Sequence, residues 1–334
     1  MSLSRQVTYG PVSKVSSAFC AGCISLALIA GAAAQSYPAR PVRIIVPFAP
    51  GGPTDIVART VGQKLSESFG QPVVVDNRPG AGGVVGADLA AKSGADGYTL
   101  LLCSTGAMAI NPGLIARMPY DPLRDLTPIT LVVTIPYLLL VNPNFSAQSV
   151  REVIALARAK PGELNYGSAG TGTTSHLAME LFRSMANIRV THVPYKGSAL
   201  AATDLVGGQL QLLFDAPPSS LPFVRSGRLR ALGISSARRT ALLPDMPTIS
   251  EAGVPGYEVL TWSGICAPSG TPRAIVERLN TAMVAGITTR ESREKFAAIG
   301  ADVVANSPDA YREFIVSELA KWSRVIKEAG VAAH

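Results

Sequence analysis

Short apolar runs alternate with amphipathic stretches along most of the chain from residue 42 onward. The run VRIIVPF predicts a strand, and Val57, Val61 and Leu65 follow it at the i, i+4 spacing of a helix. Further strands are predicted at PVVVDN, GYTLLLC and PYLLLVNP, and further helices at GGVVGADLAAKSG and SVREVIALARAKPG. This alternation is typical of α/β construction with parallel strands.

The same alternation begins again at LNYGSAG and continues through the strand patterns IRVTHVPY, QLQLLFD and LRALGIS. A strand at VLTWSGICAPSG follows it. The last predicted helix, near residues 308–328, has one apolar face that we expect to pack in the core and that carries Tyr311, Phe314, Ile315, Trp322, Val325 and Ile326. We therefore predict two α/β domains in a two-lobed arrangement, with domain 1 at 35–135 plus 260–334 and domain 2 at 136–259. Clefts between domains are common ligand sites, so we expect a ligand between the two.

The first 34 residues predict a secretory signal peptide. They contain no acidic residue, carry Arg5 and Lys14, and end in an apolar run with Ala32 and Ala34 before Gln35. The run is shorter than the roughly 20 residues of a spanning helix, which disfavours a membrane anchor. We expect a soluble mature protein in the periplasm.

Composition narrows the possible functions. Of the 334 residues, 47% are hydrophobic and 16% are charged, which disfavours a disordered chain. The formal net charge of +7 falls to +5 without Arg5 and Lys14, and no long basic run suggests nucleic-acid binding. Two cysteines, Cys103 and Cys266, remain after the leader; because sequence distance fixes no pairing, we expect two buried thiols rather than a disulfide.

Four polar turns follow predicted strands: APGGPTD, CSTGA, GSAGTGTTSH and YKGS. Such turns meet at one edge of an open α/β sheet, where free N–H groups and hydroxyls can hold an anion. Asp55 has two open roles, as a helix cap or as a ligand contact, and Lys196 and Asp215 lie near the same edge. The hydroxyl donors that we expect to form a carboxylate site are Thr54, Ser104, Thr105, Ser168, Thr171, Thr173 and Ser175.

Several chemistries lack their motifs. There is no G-x-x-x-x-G-K-[ST] loop, no G-x-S-x-G elbow and no H-E-x-x-H pair, so we predict no nucleotide cofactor and no metal site. His176 is expected to orient its loop, and His192 to be structural. The alternative function is a carboxylate or ester hydrolase in which His176 is the base for a loop serine.

Seven stretches together resemble the Bug family, the periplasmic solute receptors of tripartite tricarboxylate transporters. They are YPARPVRIIVPFAPGGPTDIVAR, VVVDNRPGAGGVVGAD, ADGYTLLL, LNYGSAGTGTTSHLAMELF, VPYKGSALAATDLVGGQLQLLFD, LRALGISSARRTALLPDMPTISEAGVPGYE and APSGTP. The resemblance implies a two-lobed periplasmic binding protein fold, a non-catalytic monomer that closes on a carboxylated solute, and a membrane partner of one large and one small permease subunit. It also leaves open a sensory role without a permease.

The resemblance further implies which positions hold the ligand. They are the loop containing Pro50, Gly51, Gly52, Thr54 and Asp55, the Ser104-Thr105 turn, the loop with Ser168, Gly170, Thr171, Gly172, Thr173, Ser175 and His176, the stretch Tyr195, Lys196 and Gly197, and Asp215. The sequence does not identify the solute.

Overall fold

A computed structural model describes residues 4, 6–10, 37–195, 197–240 and 242–331. Residues 1–39 form one compact unit and residues 40–334 another. The predicted signal peptide, 1–34, lies outside the described residues apart from residues 4 and 6–10. Among the described helices, none combines the length and the apolar composition needed to cross a membrane.

The second unit contains strands in two separate sheets. The strands are β1 (Val42–Val46), β2 (Val73–Asn77), β3 (Thr99–Ser104), β4 (Leu126–Pro136), β5 (Leu138–Val141), β6 (Asn165–Ser168), β7 (Thr191–Pro194), β8 (Leu212–Asp215), β9 (Arg230–Ile234), β10 (Leu260–Pro268) and β11 (Asp302–Val303).

Helices connect most of these strands. They are α1 (Pro53–Phe69), α2 (Val84–Ala91), α3 (Asn111–Leu114), α4 (Val150–Ala159), α5 (Thr174–Ala186), α6 (Ser198–Val206), α7 (Pro217–Arg225), α8 (Arg273–Ile287), α9 (Arg290–Ala298) and α10 (Pro308–Ala329). A short 3-10 turn (Ala81–Gly83) precedes α2, and a π-helical segment (Gly106–Ile110) precedes α3.

The two sheets define the two lobes. The first lobe is built on a six-stranded sheet in the order β11-β4-β10-β3-β1-β2, and the second on a five-stranded sheet in the order β7-β6-β8-β5-β9. The mixed α/β fold with two lobes is the predicted one, and the exact domain boundaries stay a prediction. Parallel pairing covers β1, β2 and β3 in one sheet and β6, β7 and β8 in the other.

The parallel pairing that the alternation predicts does not extend to the strands that link the lobes. Strand β10 runs antiparallel to both β3 and β4, and β5 runs antiparallel to both β8 and β9. The physical reason is the route of the chain. It leaves the first sheet along β4 and enters the second along β5 with only Tyr137 between them, and it returns to the first sheet along β10.

The expected free thiols are also contradicted. The structure joins Cys103 and Cys266 in a disulfide, with their Cα atoms 6.4 Å apart, a normal separation for such a bond. Strand β10 lies directly beside β3, so that Gly264 pairs with Cys103 and Cys266 pairs with Leu101. Sequence distance alone could not reveal this strand order, which places the two sulfurs together.

Helix α10 closes the first lobe and reaches the second. Its buried face carries Tyr311, Ile315, Trp322, Val325 and Ile326, which is the apolar face that the sequence predicts for core packing. The helix begins at the Ser307 cap, whose side chain accepts a hydrogen bond from Ala310 N, and ends at Gly330 in the left-handed region. It contacts β4 and α8 of the first lobe and α5 of the second.

Close backbone packing explains one glycine of the GAGGVVG segment. A Cβ atom on Gly86 would lie 2.8 Å from the Cα atom of Pro47 and 2.9 Å from the carbonyl oxygen of Arg78, both of which are backbone atoms. We expect Gly86→Ala to lower the free energy of unfolding by about 1–3 kcal/mol, because helix α2 must move away from the loop after β1. Urea unfolding monitored by circular dichroism measures this change.

The matched control is Gly94→Ala, where no atom lies within 4 Å of the added Cβ. Its effect should stay within about 0.5 kcal/mol. Equal stability of the two variants would contradict the packing explanation.

Candidate functional site

A cavity of about 540 Å³ lies between the two lobes. The first lobe contributes hydroxyl groups from Thr54 at the start of α1, from Ser104 at the end of β3, and from Thr261 and Ser263 on β10. The second lobe contributes the backbone and side chains of residues 171–174, which lead from β6 into α5. Polar donors therefore face each other from the ends of strands in both sheets.

The rest of the wall is apolar. Ile110, Leu114 and Ile115 line it from the π-helical segment and α3, and Phe48 and Trp262 lie on the other sides. Among the described residues that line this cavity, none carries a charged side chain. The cavity thus offers neutral hydrogen-bond donors for a polar group and an apolar surface for a carbon skeleton.

Two helices begin at this cavity, α1 with Pro53 and α5 with Thr174. The first-turn N–H groups of a helix have no acceptor within the helix, and the aligned peptide dipoles make this end positive. Thr54 in the first turn of α1 and Thr174 in that of α5 line the cavity. Backbone alone can therefore favour an anion here without a lysine or an arginine.

Asp55 braces the first-lobe loop. Its carboxylate accepts hydrogen bonds from Gly51 N at 3.0 Å, Arg59 Nε at 2.8 Å and Asn77 Nδ2 at 3.0 Å, and the residue is buried. Burial alone would raise its pKa, but these hydrogen bonds outweigh burial and hold the pKa below its ordinary value. The carboxylate thus ties the loop to α1 and β2, which is a bracing role.

Three buried side chains of the second lobe hold the loop from Ser168 to His176 in place through hydrogen bonds to its backbone. Ser175 Oγ accepts from Ala169 N at 2.9 Å, Ser168 Oγ from Gly170 N at 3.1 Å, and His176 Nδ1 from Gly172 N at 3.1 Å. All three side chains are buried. Their polar atoms are engaged within the lobe, while residues 171–174 of the same loop face the cavity.

Trp262 is fixed on the first-lobe side by a buried carboxylate. Glu318 on α10 accepts a hydrogen bond from Trp262 Nε1 at 2.9 Å and another from Trp322 Nε1 at 3.0 Å, and it pairs with Lys321. Thr105 Oγ1 accepts from the Trp262 backbone N at 2.8 Å. Thr105 therefore positions the cavity wall instead of lining the cavity.

A second chamber of about 170 Å³ adjoins the main cavity. The two share Thr54, Tyr137 and Trp262, and the smaller one adds Ala216 and Pro218 from the start of α7. Asp215 is buried next to this helix start and accepts a hydrogen bond from Ser219 Oγ at 2.6 Å. Burial raises the pKa of Asp215, which opposes its ionisation.

The chain crosses between the lobes twice, at Tyr137 and near Ser235 and Val259, and the side chain of Ser235 joins these two crossings. Ser235 Oγ accepts from Tyr137 N at 2.7 Å and donates to the carbonyl of Val259, while Ser235 N donates to the Tyr137 carbonyl at 2.8 Å. Val259 N donates to the Ser235 carbonyl at 2.9 Å. Tyr137 and Thr174, at the start of α5, line the same cavity, so this crossing lies beside the second-lobe loop.

The predicted site residues fall into three groups. Thr54, Ser104, Thr171, Gly172 and Thr173 line the cavity. Pro50, Gly51, Gly52, Gly170 and Gly197 lie in the adjoining loops, and the side chains of Asp55, Thr105, Ser168, Ser175, His176 and Asp215 are engaged behind them. Lys196 lies outside the described residues.

Tyr195, also predicted to hold ligand, points to a neighbouring helix. Its hydroxyl donates to Asp204 Oδ2 on α6 at 2.6 Å. Burial raises the pKa of Tyr195 to about 12, and the Asp204 carboxylate contributes to the same shift. The ligand role of the whole predicted set, Tyr195 included, stays a prediction.

Sequence reasoning missed several lining residues. They are Phe48, Ala81, Gly82, Gly106, Ile110, Asn111, Leu114, Ile115, Tyr137, Thr174, Thr261, Trp262 and Ser263. Most of these residues are apolar or lie within strands, and such positions are ordinarily core. One available signal was TWS within the strand pattern VLTWSGICAP, which places two hydroxyls on either side of an aromatic ring. In the part of the chain that the structure describes, no cluster of His, Cys, Asp or Glu side chains could hold a metal ion.

Comparison with known proteins places the chain among solute receptors. A model of the tripartite tricarboxylate transporter family receptor, TctC, matches residues 57–331. Protein BugT of Bordetella pertussis is 42% identical over 304 residues, which is 91% of this chain and 93% of BugT.

Solved structures agree with this relationship. R. palustris Rpa4515 with adipate is 41% identical with a TM-score of 0.78, and the match covers 89% of this chain and 99% of that one. MatC (Rpa3494) from Rhodopseudomonas palustris with bound malate is 33% identical with a TM-score of 0.73, and the match covers 87% and 100% of the two chains.

The bracing role of Asp55 can be tested by Asp55→Asn. All three partners of the carboxylate are donors, so an amide N–H₂ would face a donor, and we expect a loss of about 1–3 kcal/mol in the free energy of unfolding at pH 7. Because the pKa of Asp55 is lowered on folding from its ordinary 3.8, this stabilisation is present above about pH 4 and disappears as pH falls through the folded pKa. Urea unfolding from pH 7 to pH 3 measures both effects.

Glu277→Gln is the control, since Glu277 pairs with Arg273 at the same i, i+4 spacing but is exposed. We expect a change below about 0.5 kcal/mol. Comparable losses in the two variants would show that Asp55 is only a surface ion pair.

Proposed function

The chain belongs to the tripartite tricarboxylate transporter receptor family, and on that basis we propose that it binds a small carboxylate-bearing solute in the cavity between its lobes. Proteins of this family are periplasmic binding proteins. The observation that carries the proposal is the convergence of two helix N-termini and four first-lobe hydroxyls on one cavity whose described lining has no charged side chain.

The proposed binding mode follows from this chemistry. Each neutral hydrogen bond contributes about 0.5–1.5 kcal/mol net, so several of them give micromolar affinity, which corresponds to about 8 kcal/mol. No charged side chain of the described lining would form an ion pair with the ligand, so the ligand can dissociate readily, as a carrier requires. The relatives with adipate and with malate support a carboxylate as the bound group.

The apolar part of the cavity lining would contact the carbon skeleton of the ligand. Ile110, Leu114 and Ile115 line the cavity together with Phe48 and Trp262. We propose a solute whose carboxylate contacts the helix N-termini and whose carbon skeleton lies on this wall. Dicarboxylates, amino acids and aromatic acids are the candidates.

We further propose that the lobes close on the solute by bending at the two crossings that Ser235 joins. A ligand that contacts both lobes binds the closed form more tightly than the open form and so shifts the population toward it. The closed receptor would deliver the solute to a large and a small permease subunit, or would report its presence to a sensory partner. A predicted signal peptide is consistent with this location in the periplasm.

The alternative, a hydrolase using His176 and a loop serine, is supported by one contact only. Ser168 Oγ lies 2.6 Å from a histidine nitrogen, but the histidine is His192 and not His176. Ser168 has no exposed surface, so an ester could not reach it without movement of the loop. Incubation with carboxylate esters tests this function: turnover that Ser168→Ala abolishes would favour the hydrolase.

A thermal-shift screen over small organic acids tests the receptor function. An acid present at about 100 times its Kd adds roughly 2.7 kcal/mol of stability, which raises Tm by several degrees. We expect at least one dicarboxylate, amino acid or aromatic acid to do so. No shift with any of these classes at millimolar concentration would contradict the proposal.

Thr54→Val tests the cavity as the binding site, because it removes a hydroxyl that lines both chambers and keeps the side-chain shape. We expect the Kd of an acid found in the screen to rise about three- to tenfold, as measured by calorimetry. Thr281→Val, on the exposed side of α8, is the control and should leave the Kd unchanged. Equal Kd values for both variants and the unmodified protein would place the site elsewhere.

A further inference from the structure

Two histidines stack behind the loop that lines the cavity on the second-lobe side. The rings of His176 on α5 and His192 on β7 are 4.0 Å apart between centroids and nearly parallel, and Tyr166 on β6 stacks on His192 at 4.8 Å. His176 is buried and His192 is half-buried. The receptor function as proposed uses neither ring.

The hydrogen bond to His176 fixes the protonation of its ring. Gly172 N donates to His176 Nδ1 at 3.1 Å, and a backbone N–H can only donate, so Nδ1 must carry a lone pair. The proton of the neutral ring is therefore on Nε2, which lies 4.0 Å from Glu180 Oε1. A second proton on Nδ1 would place two donors against each other and break the bond to Gly172.

His192 has the same relation to the loop through Ser168. Ser168 Oγ accepts from Gly170 N at 3.1 Å and lies 2.6 Å from His192 Nε2. A hydroxyl has one proton and two acceptor sites, so His192 can hold Ser168 as an acceptor or as a donor. One imidazole thus holds the Gly172 N–H directly, and the other holds the Gly170 N–H through Ser168.

We propose that His176 and His192 are positioning residues that hold the turn from Gly170 to Thr173 in its ligand-binding conformation, His176 as the direct acceptor for Gly172 N and His192 through its hydrogen bond to Ser168. The proposal rests on the proposed receptor function and adds to it the reason why this turn keeps its shape. Gly170 has φ +134° and Gly172 has φ +77°, a geometry that ordinary residues rarely adopt and that the two bonds keep in place.

Burial favours the neutral form of both rings. Glu180 on α5 accepts from Tyr166 Oη at 2.6 Å and pairs with Arg183, and the end of helix α10 brings Ala329, followed by Gly330 and Val331, to the cavity beside the rings. Burial lowers the pKa of His176 to about 3, and the charges of His192 and Arg183 act in the same direction. Burial also lowers the pKa of His192, against an opposing effect of Glu180.

A separate cavity of about 400 Å³ gives solvent a route to the rings. It is lined by His176, Glu180, Arg183 and His192, and it shares Thr171 with the ligand cavity. Thr171 of the turn therefore borders both spaces.

The first test needs no ligand. Hydrogen exchange at Gly170 and Gly172, followed by NMR on the full protein, reports the two bonds directly. We expect His176→Leu to speed exchange at Gly172 about tenfold, and His176→Asn, whose Oδ1 can replace Nδ1 as an acceptor, to restore slow exchange. His192→Leu and His192→Gln should behave in the same way at Gly170. Unchanged exchange in both leucine variants, with intact folding by circular dichroism, would overturn the proposal.

The pH dependence of unfolding gives a second readout. A histidine whose pKa is lowered on folding does not reduce the free energy of unfolding above about pH 6.5. As the pH falls below that value, the unfolded chain takes up a proton that the folded chain does not bind, and the free energy of unfolding decreases. For each histidine, the unfolding equilibrium constant should therefore rise by up to about tenfold for every unit by which the pH falls. In His176→Asn, unfolding at low pH should take up one proton fewer, so the logarithm of the unfolding constant should change less steeply with pH. A slope equal to that of the unmodified protein would contradict the role of His176 as a neutral acceptor.

The binding test separates this inference from the receptor function. With adipate as the probe, calorimetry should show a Kd raised about tenfold in His176→Leu and nearly unchanged in His176→Asn. If adipate binds all variants equally, the positioning role fails and the receptor function stands. If the unmodified protein binds no acid of the screen, the receptor function fails, and the ligand-free exchange data still decide the role of the histidines.

Discussion

The geometry of the cavity depends on how the chain crosses between the two sheets. One crossing is a single residue long, at Tyr137, and the other passes through Ser235 and Val259. Ser235 bonds to both crossings through its hydroxyl and its backbone, and it is completely buried. Because side-chain and backbone bonds meet at one residue, Ser235 joins the two crossings into a single connection between the lobes.

Charge is arranged in a layer behind the cavity rather than on its surface. Asp55 lies behind the first-lobe loop, Glu180 behind the second-lobe loop and Glu318 behind Trp262, and each has a cationic neighbour at i, i+3 or i, i+4. Buried acids of this kind would repel a carboxylate if they were unpaired. Paired and hydrogen-bonded, they stiffen the loops while the cavity itself presents neutral donors. In the proposed function, these rigid, uncharged donors would recognise an anion and also release it.

The sequence predicted the parts of this fold that local pattern controls. The α/β alternation, the apolar face of α10 and the turns at the carboxyl ends of β1, β3 and β6 all follow from periodicity and turn chemistry. The antiparallel placement of β10 between β3 and β4 depends on contacts between distant segments, so the Cys103–Cys266 bond could not be predicted. For the same reason Tyr137 and Trp262 were missed, whereas Thr54, Ser104 and residues 171–173 were identified by their turns.

The shared carboxylate of Glu318 also has an optical consequence. The protein has two tryptophans, Trp262 and Trp322, and both indole N–H groups donate to the same oxygen of Glu318. Both indoles are buried; Trp262 belongs to the cavity lining, and Trp322 lies on the buried face of helix α10. The two emitters therefore share one hydrogen-bond partner beside the cavity wall. A displacement of that wall would reach both indoles through Glu318, so the intrinsic fluorescence of the chain reports on this buried cluster with no label added.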